Sequence, residues 1–499
     1  MSEIRVTYSG LIAFVIGIVS LLTGIVFTLI TTRSLTAEEF GTWNLIGGLI
    51  TYVVIVEPIV SYWTTREIAR GIESGKTAFL FSGIFSIGGS LVYIIIVYVL
   101  ARQIHVNESV LLFAAILIPV MFLNRTLTAI NVAWKPHSTS YGILAFESTK
   151  IPTALIFVYF LHMGLSGAIL ATCIAYLTSI IILIIYAKEK IRDKIRIGFL
   201  TKWIRLSWLS VFPGISNLIY YLDVVIFSII SGSVIGLAYY SASLTVSSLV
   251  AYASLISRAI YTKLLEGGKG EHLEENLLRF FYLAFPLIPI SLVFAQPALF
   301  ALKPIYAIAV PVVIFMTVRA FLITLEGIFS QSLLGIEKVD INEKVNFKNY
   351  VKSKLFFVPA VILIEVCAYV IAVLVGLTLL KPFTNQDVEL VIYWSVISVG
   401  IHIPFTVYFY LLTKKHIDFR INSISLLKYL LVSIIIFSAI HVLMNQFLIY
   451  KNSIFEFVPN VLLFVSIGIV GYLLTTYLID SKTRILFRAI FDELKGKNT

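Results

Sequence analysis

Charged side chains stand inside long apolar stretches of this 499-residue sequence, where burial of a charge is costly. Such residues usually pair with one another or face a water-filled cavity that serves a function. The stretches contain these ionisable residues: Glu57, Arg125, Glu147, Lys150, Asp223, Arg319, Glu326, Glu365 and Lys428. Lys428 lies near a predicted helix end, from which its long side chain can reach the polar interface. The others are the candidates for chemistry.

Arg125 is the preferred candidate for contact with a substrate anion, because its own helix offers no acidic neighbour. Glu147 and Lys150 share a helical face at a spacing of three residues, and Arg319 and Glu326 do so at a spacing of seven. Each of these pairs has a second interpretation, an internal ion pair that only holds a helix bundle together. A hydrated cavity with several cations suits an anionic amphiphile such as a lipid phosphate or pyrophosphate.

Two of the acidic residues lie on polar stripes of their own helices. Glu57 shares a face with Ser61 and precedes Pro58, which can loosen the helix, while Asp223 follows Tyr220 at a spacing of three. Such carboxylates suit coupling to a proton or a sodium ion, and they equally suit counter-charges for the cations. The sequence leaves these roles open.

Continuous apolar runs must position all of these side chains. The sequence is 59% hydrophobic and 13% charged, with a mean hydropathy of +0.97, which is outside the range of soluble globular proteins. We count about fourteen runs of roughly 20 residues, the length that crosses a bilayer as a helix, from residues 9–31 to 456–479. This pattern predicts an all-α polytopic protein of the cell membrane.

Lysine and arginine are distributed unequally between alternate loops. The loops on the side opposite the N-terminus hold only Arg33, Arg102, Lys303, Lys381 and Lys451. The positive-inside rule therefore places both termini in the cytoplasm and accounts for the net charge of +11. Residues 481–494 after the last run suit either a helix on the inner leaflet or a short solvated tail. Because the basic residues are scattered over many loops and form no nucleic-acid-binding motif, nucleic acid is not an expected partner.

Signatures of an enzyme or of a metal site are missing from the sequence. Residues 267–270 are rich in glycine but lack the serine or threonine that ends a phosphate-binding loop. No histidines are paired at metal-ligand spacing, and His402, alone within a span, is interpreted as a core residue. Cys173 and Cys367 lie in apolar runs, as packing residues do. We expect no cofactor and no metal, apart from a possible coupling ion, H⁺ or Na⁺.

The loop between the first two runs has a distinctive sequence at residues 33–43, Arg-Ser-Leu-Thr-Ala-Glu-Glu-Phe-Gly-Thr-Trp. Thr36 and Glu39 have the spacing of a capping box, which predicts the start of the second helix. A similar turn pattern recurs at residues 231–240, where glycine again precedes aromatic residues at the start of a helix. This repetition suggests a duplicated membrane bundle.

The loop at residues 33–43 resembles the first-loop signature of the polysaccharide and oligosaccharide flippases. This family is a branch of the multidrug/oligosaccharidyl-lipid/polysaccharide exporter superfamily. Other segments are similar to the family's seventh-, eighth- and tenth-helix regions: Phe212-Pro-Gly-Ile-Ser-Asn217, Leu222-Asp-Val-Val-Ile-Phe227, Gly236-Leu-Ala-Tyr-Tyr240, Tyr306-Ala-Ile-Ala-Val-Pro311 and Leu334-Gly-Ile-Glu-Lys338. The likeness covers residues 8–415 and departs at Lys303-Pro304, where the family more often has a glycine.

The resemblance implies two six-helix lobes related by a pseudo-two-fold axis along the membrane normal, at residues 1–205 and 206–415, plus two added helices at 416–499. It also implies a flippase, not an enzyme, that moves a polyprenyl-phosphate-linked oligosaccharide outward by alternating access, for surface polysaccharide or glycoprotein glycan synthesis. The expected partners are this substrate, membrane lipids, and glycosyltransferases or a polymerase of the same pathway. The expected substrate contacts are Arg33, Arg125, Lys150 and Arg319. The expected coupling or counter-charge residues are Glu57, Glu147, Asp223 and Glu326.

Two other functions remain as alternatives at this point. A cation-coupled multidrug exporter of the same superfamily would have the same fold and a smaller substrate. A membrane glycosyltransferase or polymerase would need acidic catalytic residues in sizeable outer loops. The predicted outer loops are short and their acidic residues are few, which makes this second alternative the weaker one.

Overall fold

The computed structural model of the chain describes residues 20, 23–24, 26–69, 71–101, 106–135, 137–192, 194–205, 207–257, 270–337 and 352–484. Within these ranges the secondary structure is helical. The predicted surface helix or tail of residues 481–494 lies outside them from residue 485 onward, and so does the glycine-rich loop up to residue 269.

Most of the described helices are joined by short connections, and residues 258–269 and 338–351 lie outside the description. We number them α1, the described helical residues up to 34; α2, Ala37–Val54; α3, Pro58–Ala69; α4, Gly75–Ala101; α5, Glu108–Trp134; α6, Ser138–Phe160; α7, Gly164–Ile191; α8, Ile197–Arg205; α9, Ser207–Tyr220; α10, Leu222–Ser231; α11, Ile235–Ser247; α12, Gly270–Val293; α13, Ala295–Leu302; α14, Val310–Gly335; α15, Lys354–Leu380; α16, Asp387–His416; α17, Ser423–Phe447; and α18, Ile454–Ile479.

The predicted all-α polytopic fold is confirmed. In the described ranges, 11 stretches of helix are long and apolar enough to cross a membrane, and the bent pair α2 and α3 makes up to 12. The first predicted run, residues 9–31, is described only in part. The eighth, residues 235–257, is formed by α11 and a 3₁₀ segment, Ser248–Ser257, that continues it. The chain is therefore a multi-pass membrane protein.

The predicted capping box at the start of α2 is confirmed. Thr36 Oγ1 accepts a hydrogen bond from the Glu39 N–H at 3.1 Å, and Glu39 Oε2 accepts one from the Thr36 N–H at 2.8 Å. Glu39 Oε1 also accepts from the Leu165 N–H in the first turn of α7, at 3.2 Å. Gly164 has a φ of +57°, and a Cβ there would lie 2.2 Å from Glu39 Oε1, so this contact requires glycine. One carboxylate thus caps two helices.

Prolines accompany irregular backbone in two of the membrane-spanning segments. Pro58 follows a break after Val54, and α2 and α3 meet there at an angle of 59°. Pro152 lies inside α6, which continues as a π-helix over Leu155–Phe160, since proline cannot supply its own N–H to the helical ladder. A 3₁₀ segment, Pro304–Ala309, leads directly into α14.

The chain divides into two compact units, which we call the first and second units. The first comprises Met1–Ala238 with Val373–Leu390, and the second comprises Tyr239–Ala372 with Val391–Thr499. The predicted lobes at 1–205 and 206–415, and the axis relating them, stay predictions.

The core of the first unit is apolar. It continues to those helix ends that the charge distribution predicts to face the cytoplasm. Ile68, Leu127, Ile180 and Leu183 belong to one buried cluster of α3, α5 and α7. Trp203 of α8 is fully buried against Val60 and Ala78, its ring stacks on Phe199, and its Nε1 donates to Glu67 Oε1 at 3.3 Å. Lys202 Nζ lies 2.9 Å from the same oxygen. These contacts fasten α8 to the end of α3.

The two C-terminal helices pack within the second unit. Phe437 and Ile440 of α17 and Phe457 of α18 form a buried cluster with Ile290 and Phe294 of the α12–α13 region. At the other end of these helices, Tyr429 donates to Asp480 at 2.8 Å. The expected added helices are therefore integral to this unit's core.

Candidate functional site

Arg125 lies in the middle of α5, in the first unit, and its side chain is exposed. Among the described residues it makes no hydrogen bond or ion pair. Its charge acts at longer range on the carboxyl group of Glu57 and on the hydroxyl group of Tyr176. A guanidinium group has five N–H donors, and no described residue accepts a hydrogen bond from those of Arg125.

Glu57 stands beside this arginine at the break between α2 and α3. Its carboxylate is 2% exposed and accepts hydrogen bonds from Ser61 Oγ at 3.0 Å and from Thr126 Oγ1 at 3.2 Å. Thr126 also contacts Ser82 Oγ at 2.9 Å. The predicted polar stripe of Glu57 and Ser61 therefore extends into a small network that joins α3, α4 and α5.

Glu147 and Lys150 form a buried ion pair in α6. Their Oε2 and Nζ atoms lie 2.5 Å apart, and Lys150 is 9% exposed. Glu147 accepts further hydrogen bonds from Ser20 Oγ at 2.7 Å and Thr23 Oγ1 at 2.6 Å. This geometry favours the interpretation of the pair as a link that holds α1 to α6.

Aromatic rings complete the surroundings of that ion pair. The Nζ atom of Lys150 lies 5.5 Å from the centre of the Phe27 ring and 5.0 Å from that of Phe146. Phe146 in turn packs on Tyr176, with ring centres 4.7 Å apart. Because Tyr176 interacts electrostatically with both Arg125 and Glu147, four of the predicted site residues, Glu57, Arg125, Glu147 and Lys150, belong to one region of the first unit.

Arg33 and Asp223 also lie in the first unit, at helix ends. Arg33 is in the last turn of α1 and is partly exposed, and Asp223 is in the first turn of α10 and is 1% exposed. Asp223 Oδ1 accepts from the Val224 N–H at 2.7 Å, and its charge acts on the hydroxyl of Tyr52. Their predicted roles as substrate contact and coupling residue stay predictions.

Arg319 is enclosed by side chains of the second unit. It is 5% exposed, its Nη1 donates to the Tyr240 hydroxyl at 3.2 Å, and its guanidinium lies 6.0 Å from the centre of the Tyr369 ring. Trp394 stacks on Tyr240 at 3.9 Å and donates to the Tyr369 hydroxyl at 2.8 Å. Direct contact of Arg319 with a substrate, as predicted, would require this aromatic enclosure to open.

Glu326, the last predicted residue, belongs to a cluster that the sequence did not indicate. Glu365 of α15 and His402 of α16 join Glu326 of α14, and one ligand atom from each lies within 4.8 Å of the others. His402 Nδ1 is 2.6 Å from Glu365 Oε1. The sequence predicts a lone core residue at His402, because its partners lie on other helices. The one available signal was that both glutamates and the histidine occur inside apolar spans.

A cavity of about 350 Å³ lies at the ends of α12 and α17 in the second unit. It is lined by charged groups of both signs, including Glu271, Arg279, Arg420 and Lys482. None of the predicted site residues lines it. The mixed charges of this cavity single out neither an anionic nor a cationic ligand.

The fold is shared with solved membrane transporters. The lipid II flippase MurJ in an inward closed conformation matches with 15% identity and a TM-score of 0.62. The match covers 97% of this chain and 100% of the MurJ chain. An inward-facing multidrug resistance MATE family transporter of the MOP superfamily matches with 14% identity and a TM-score of 0.60, over 79% of this chain and 95% of its own. MATE in the straight conformation matches with 14% identity and a TM-score of 0.52, over 83% and 95%.

No family model matches the sequence, and no curated protein matches it. The likeness to the solved structures therefore shows the fold, which is the fold that the resemblance implied. The proteins with these structures are transporters and a flippase rather than enzymes.

Proposed function

We propose that this chain, which has the fold of the MurJ flippase and the MATE transporters, is a flippase for a polyprenyl-phosphate-type lipid that carries an oligosaccharide. The observation that carries the proposal is Arg125, an exposed cation within a membrane-spanning helix, with no hydrogen bond or ion pair to another described residue. A charge in such a place is stable when it faces water or a ligand of opposite sign.

The chemistry of the guanidinium group fits a phosphate or pyrophosphate headgroup. Arginine presents paired donors that match two oxygens of a phosphate, and charge-assisted hydrogen bonds of this type are the strong ones. Neutral sugar units add hydroxyl groups, which suit the neighbouring polar side chains of Ser61 and Tyr176. Binding at this site on the cytoplasmic side and release on the outer side, by alternating access, completes the proposed cycle.

The proposal assigns Glu57 a place beside the headgroup. When Arg125 is not bound to substrate, Glu57 supplies the nearby negative charge, and a proton or sodium ion that neutralises it would release Arg125 for the headgroup. Asp223 is the second candidate for such coupling. The proposed location is the cell membrane with both termini in the cytoplasm, and the proposed partners are membrane lipids and the glycosyltransferases or polymerase of the same pathway.

Arg125→Ala tests the function. A charge-assisted hydrogen bond contributes about 1.5–3 kcal/mol, so its loss should lower transport by about tenfold or more. Purified protein in proteoliposomes would be assayed for the flipping of a fluorescent polyprenyl-pyrophosphate oligosaccharide, with thermal unfolding measured in parallel. The matched control is Arg66→Ala, because Arg66 is exposed at the end of α3 and contacts Tyr62. Unchanged flipping by Arg125→Ala would remove Arg125 from the site.

Multidrug export is the second candidate function, since MATE drug transporters share this fold. An exposed guanidinium would repel the cationic compounds that such a transporter would carry, and this favours the flippase. The same proteoliposomes distinguish the two, because a drug exporter would move a cationic dye and leave the lipid-linked saccharide in place.

A further inference from the structure

Three buried side chains of the second unit converge from three helices. Glu326 of α14, Glu365 of α15 and His402 of α16 are 7%, 2% and 5% exposed, and one ligand atom from each lies within 4.8 Å of the other two. Residues so far apart in sequence meet here only because the helices pack together.

The cluster contains polar atoms without partners. His402 Nε2 is fully buried and makes no hydrogen bond to any described residue, whereas the Glu326 carboxyl shares a side-chain hydrogen bond with the Glu365 carboxyl. One turn before His402 on α16, Ser398 Oγ is buried and equally unpartnered. Buried polar atoms are rarely left unsatisfied, so these two point to a bound ion or water that supplies their partner.

We propose that Glu326, Glu365 and His402 form a binding site for a divalent transition-metal ion of the Zn²⁺ or Mn²⁺ class. Two ionised carboxylates and a neutral imidazole carry a total charge of −2, which attracts a cation, while the positive charge of Arg319 also acts on His402. The imidazole selects against Na⁺, Mg²⁺ and Ca²⁺, which prefer oxygen ligands, and the carboxylates select against Cu⁺, which prefers sulfur.

The distances suit this assignment. Ligand atoms around a zinc ion with bonds of about 2.0–2.2 Å are roughly 3.4 Å apart, so a movement of about 1 Å by these side chains would close the site. The contact of 2.6 Å between His402 Nδ1 and Glu365 Oε1 fixes the imidazole, so the ion would bind His402 through Nε2 and Glu365 through its other oxygen. The cluster belongs to the second unit, whereas Arg125 and Glu57 belong to the first.

Metal binding is measured directly and does not depend on transport. Full-length protein carrying a tag without histidine would be stripped with a chelator, loaded with Zn²⁺ or Mn²⁺, dialysed and analysed for metal content. We expect one bound ion per chain in the parent protein and at least a tenfold weaker affinity in each of Glu326→Gln, Glu365→Gln and His402→Gln. The control is His416→Gln, on the exposed end of the same helix as His402, and it should bind as the parent does.

A ligand exchange guards against effects of misfolding. His402→Cys should shift the preference of the site from Mn²⁺ toward Cd²⁺ by tenfold or more, because a thiolate is the softer ligand. A parent protein that binds neither Zn²⁺ nor Mn²⁺, or variants that bind them as tightly as the parent, would overturn the proposal. Stabilisation by Na⁺ alone would also overturn it and assign the cluster to an alkali ion.

Discussion

Arg125 and Lys150 are both cations of membrane-spanning helices in the first unit, and their surroundings differ. Lys150 is 9% exposed, paired with Glu147 and flanked by two aromatic rings, whereas Arg125 is exposed and makes no comparable contact among the described residues. A cation that is already neutralised contributes to packing, and one that is not neutralised is available to a ligand. The sequence indicated this difference, because Glu147 lies three residues from Lys150 and Arg125 has no acidic neighbour on its helix, but it left open whether the pair is structural or binds substrate.

Lys150→Ala should destabilise the protein, because it leaves Glu147 buried without its cation. Removing one partner of a buried pair costs about 3–5 kcal/mol, while replacing both partners is much less harmful. We expect a lower thermal unfolding temperature for the single variant in detergent and substantial recovery for the double variant with Glu147→Gln and Lys150→Met. Glu147 would keep its hydrogen-bonding partners Ser20 and Thr23 in the single variant, so the loss reports the ion pair.

A different result would reassign Lys150. If Lys150→Ala unfolds at the parent temperature and flipping falls, the lysine acts on substrate as predicted from the sequence. If the double variant restores both stability and flipping, the pair is structural.

At the level of single helices, short sequence motifs predicted the helix boundaries that depend on nearby residues. The start of α2 followed from Thr36 and Glu39, and the bend before α3 followed from Pro58, because a cap and a proline act within a few residues of themselves. The meeting of Glu365 with His402 could not be predicted in this way. These residues are 37 positions apart on different helices, and no helical periodicity relates them.

Glu39→Ala should loosen the ends of two helices. The carboxylate accepts from the N–H groups of Thr36 and Leu165, so its removal takes a cap from α2 and another from α7. Losing one cap typically costs about 1 kcal/mol, and we expect a total of about 2 kcal/mol. Unfolding in increasing concentrations of SDS would measure the difference.

Glu38→Ala provides the control for that measurement. Glu38 lies in the same turn of α2 and is exposed, and its side chain takes no part in the capping box. Both variants remove one negative charge near the start of the helix, so their difference isolates the two hydrogen bonds. Equal stabilities of the two variants would contradict the double-cap interpretation.

For the whole molecule, composition decided the fold class and charge distribution decided the expected orientation. Apolar runs of membrane length and the absence of enough charge to cover a soluble surface left a helical membrane bundle as the outcome, and the structure confirms it. The fold alone does not fix the cargo, because a lipid II flippase and a multidrug resistance transporter share it.

The predicted orientation places Lys451 outside the cell and Lys415 inside it. In a background with Cys173→Ala and Cys367→Ala, a membrane-impermeant maleimide added to intact cells should label Lys451→Cys and leave Lys415→Cys unlabelled. Both positions are exposed at helix ends, so accessibility is matched. After the cells are opened, both should react. The reverse pattern in intact cells would place the termini outside.

Because α8 is attached to Glu67, a tilt of α3 about the break beside Glu57 would move α8. Helix α3, of 12 residues, begins at the break beside Glu57 and ends at the carboxylate that holds Lys202 and Trp203. A rod of that size is about 18 Å long, so a tilt of about 10° at its pivot would carry the far tip through about 3 Å. This displacement is as large as the hydrogen-bond distances from Lys202 and Trp203 to Glu67. Helix α8 must therefore move with α3 or lose these hydrogen bonds. A change of charge at Glu57 that tilts α3 would thereby displace α8 and the residues that follow it.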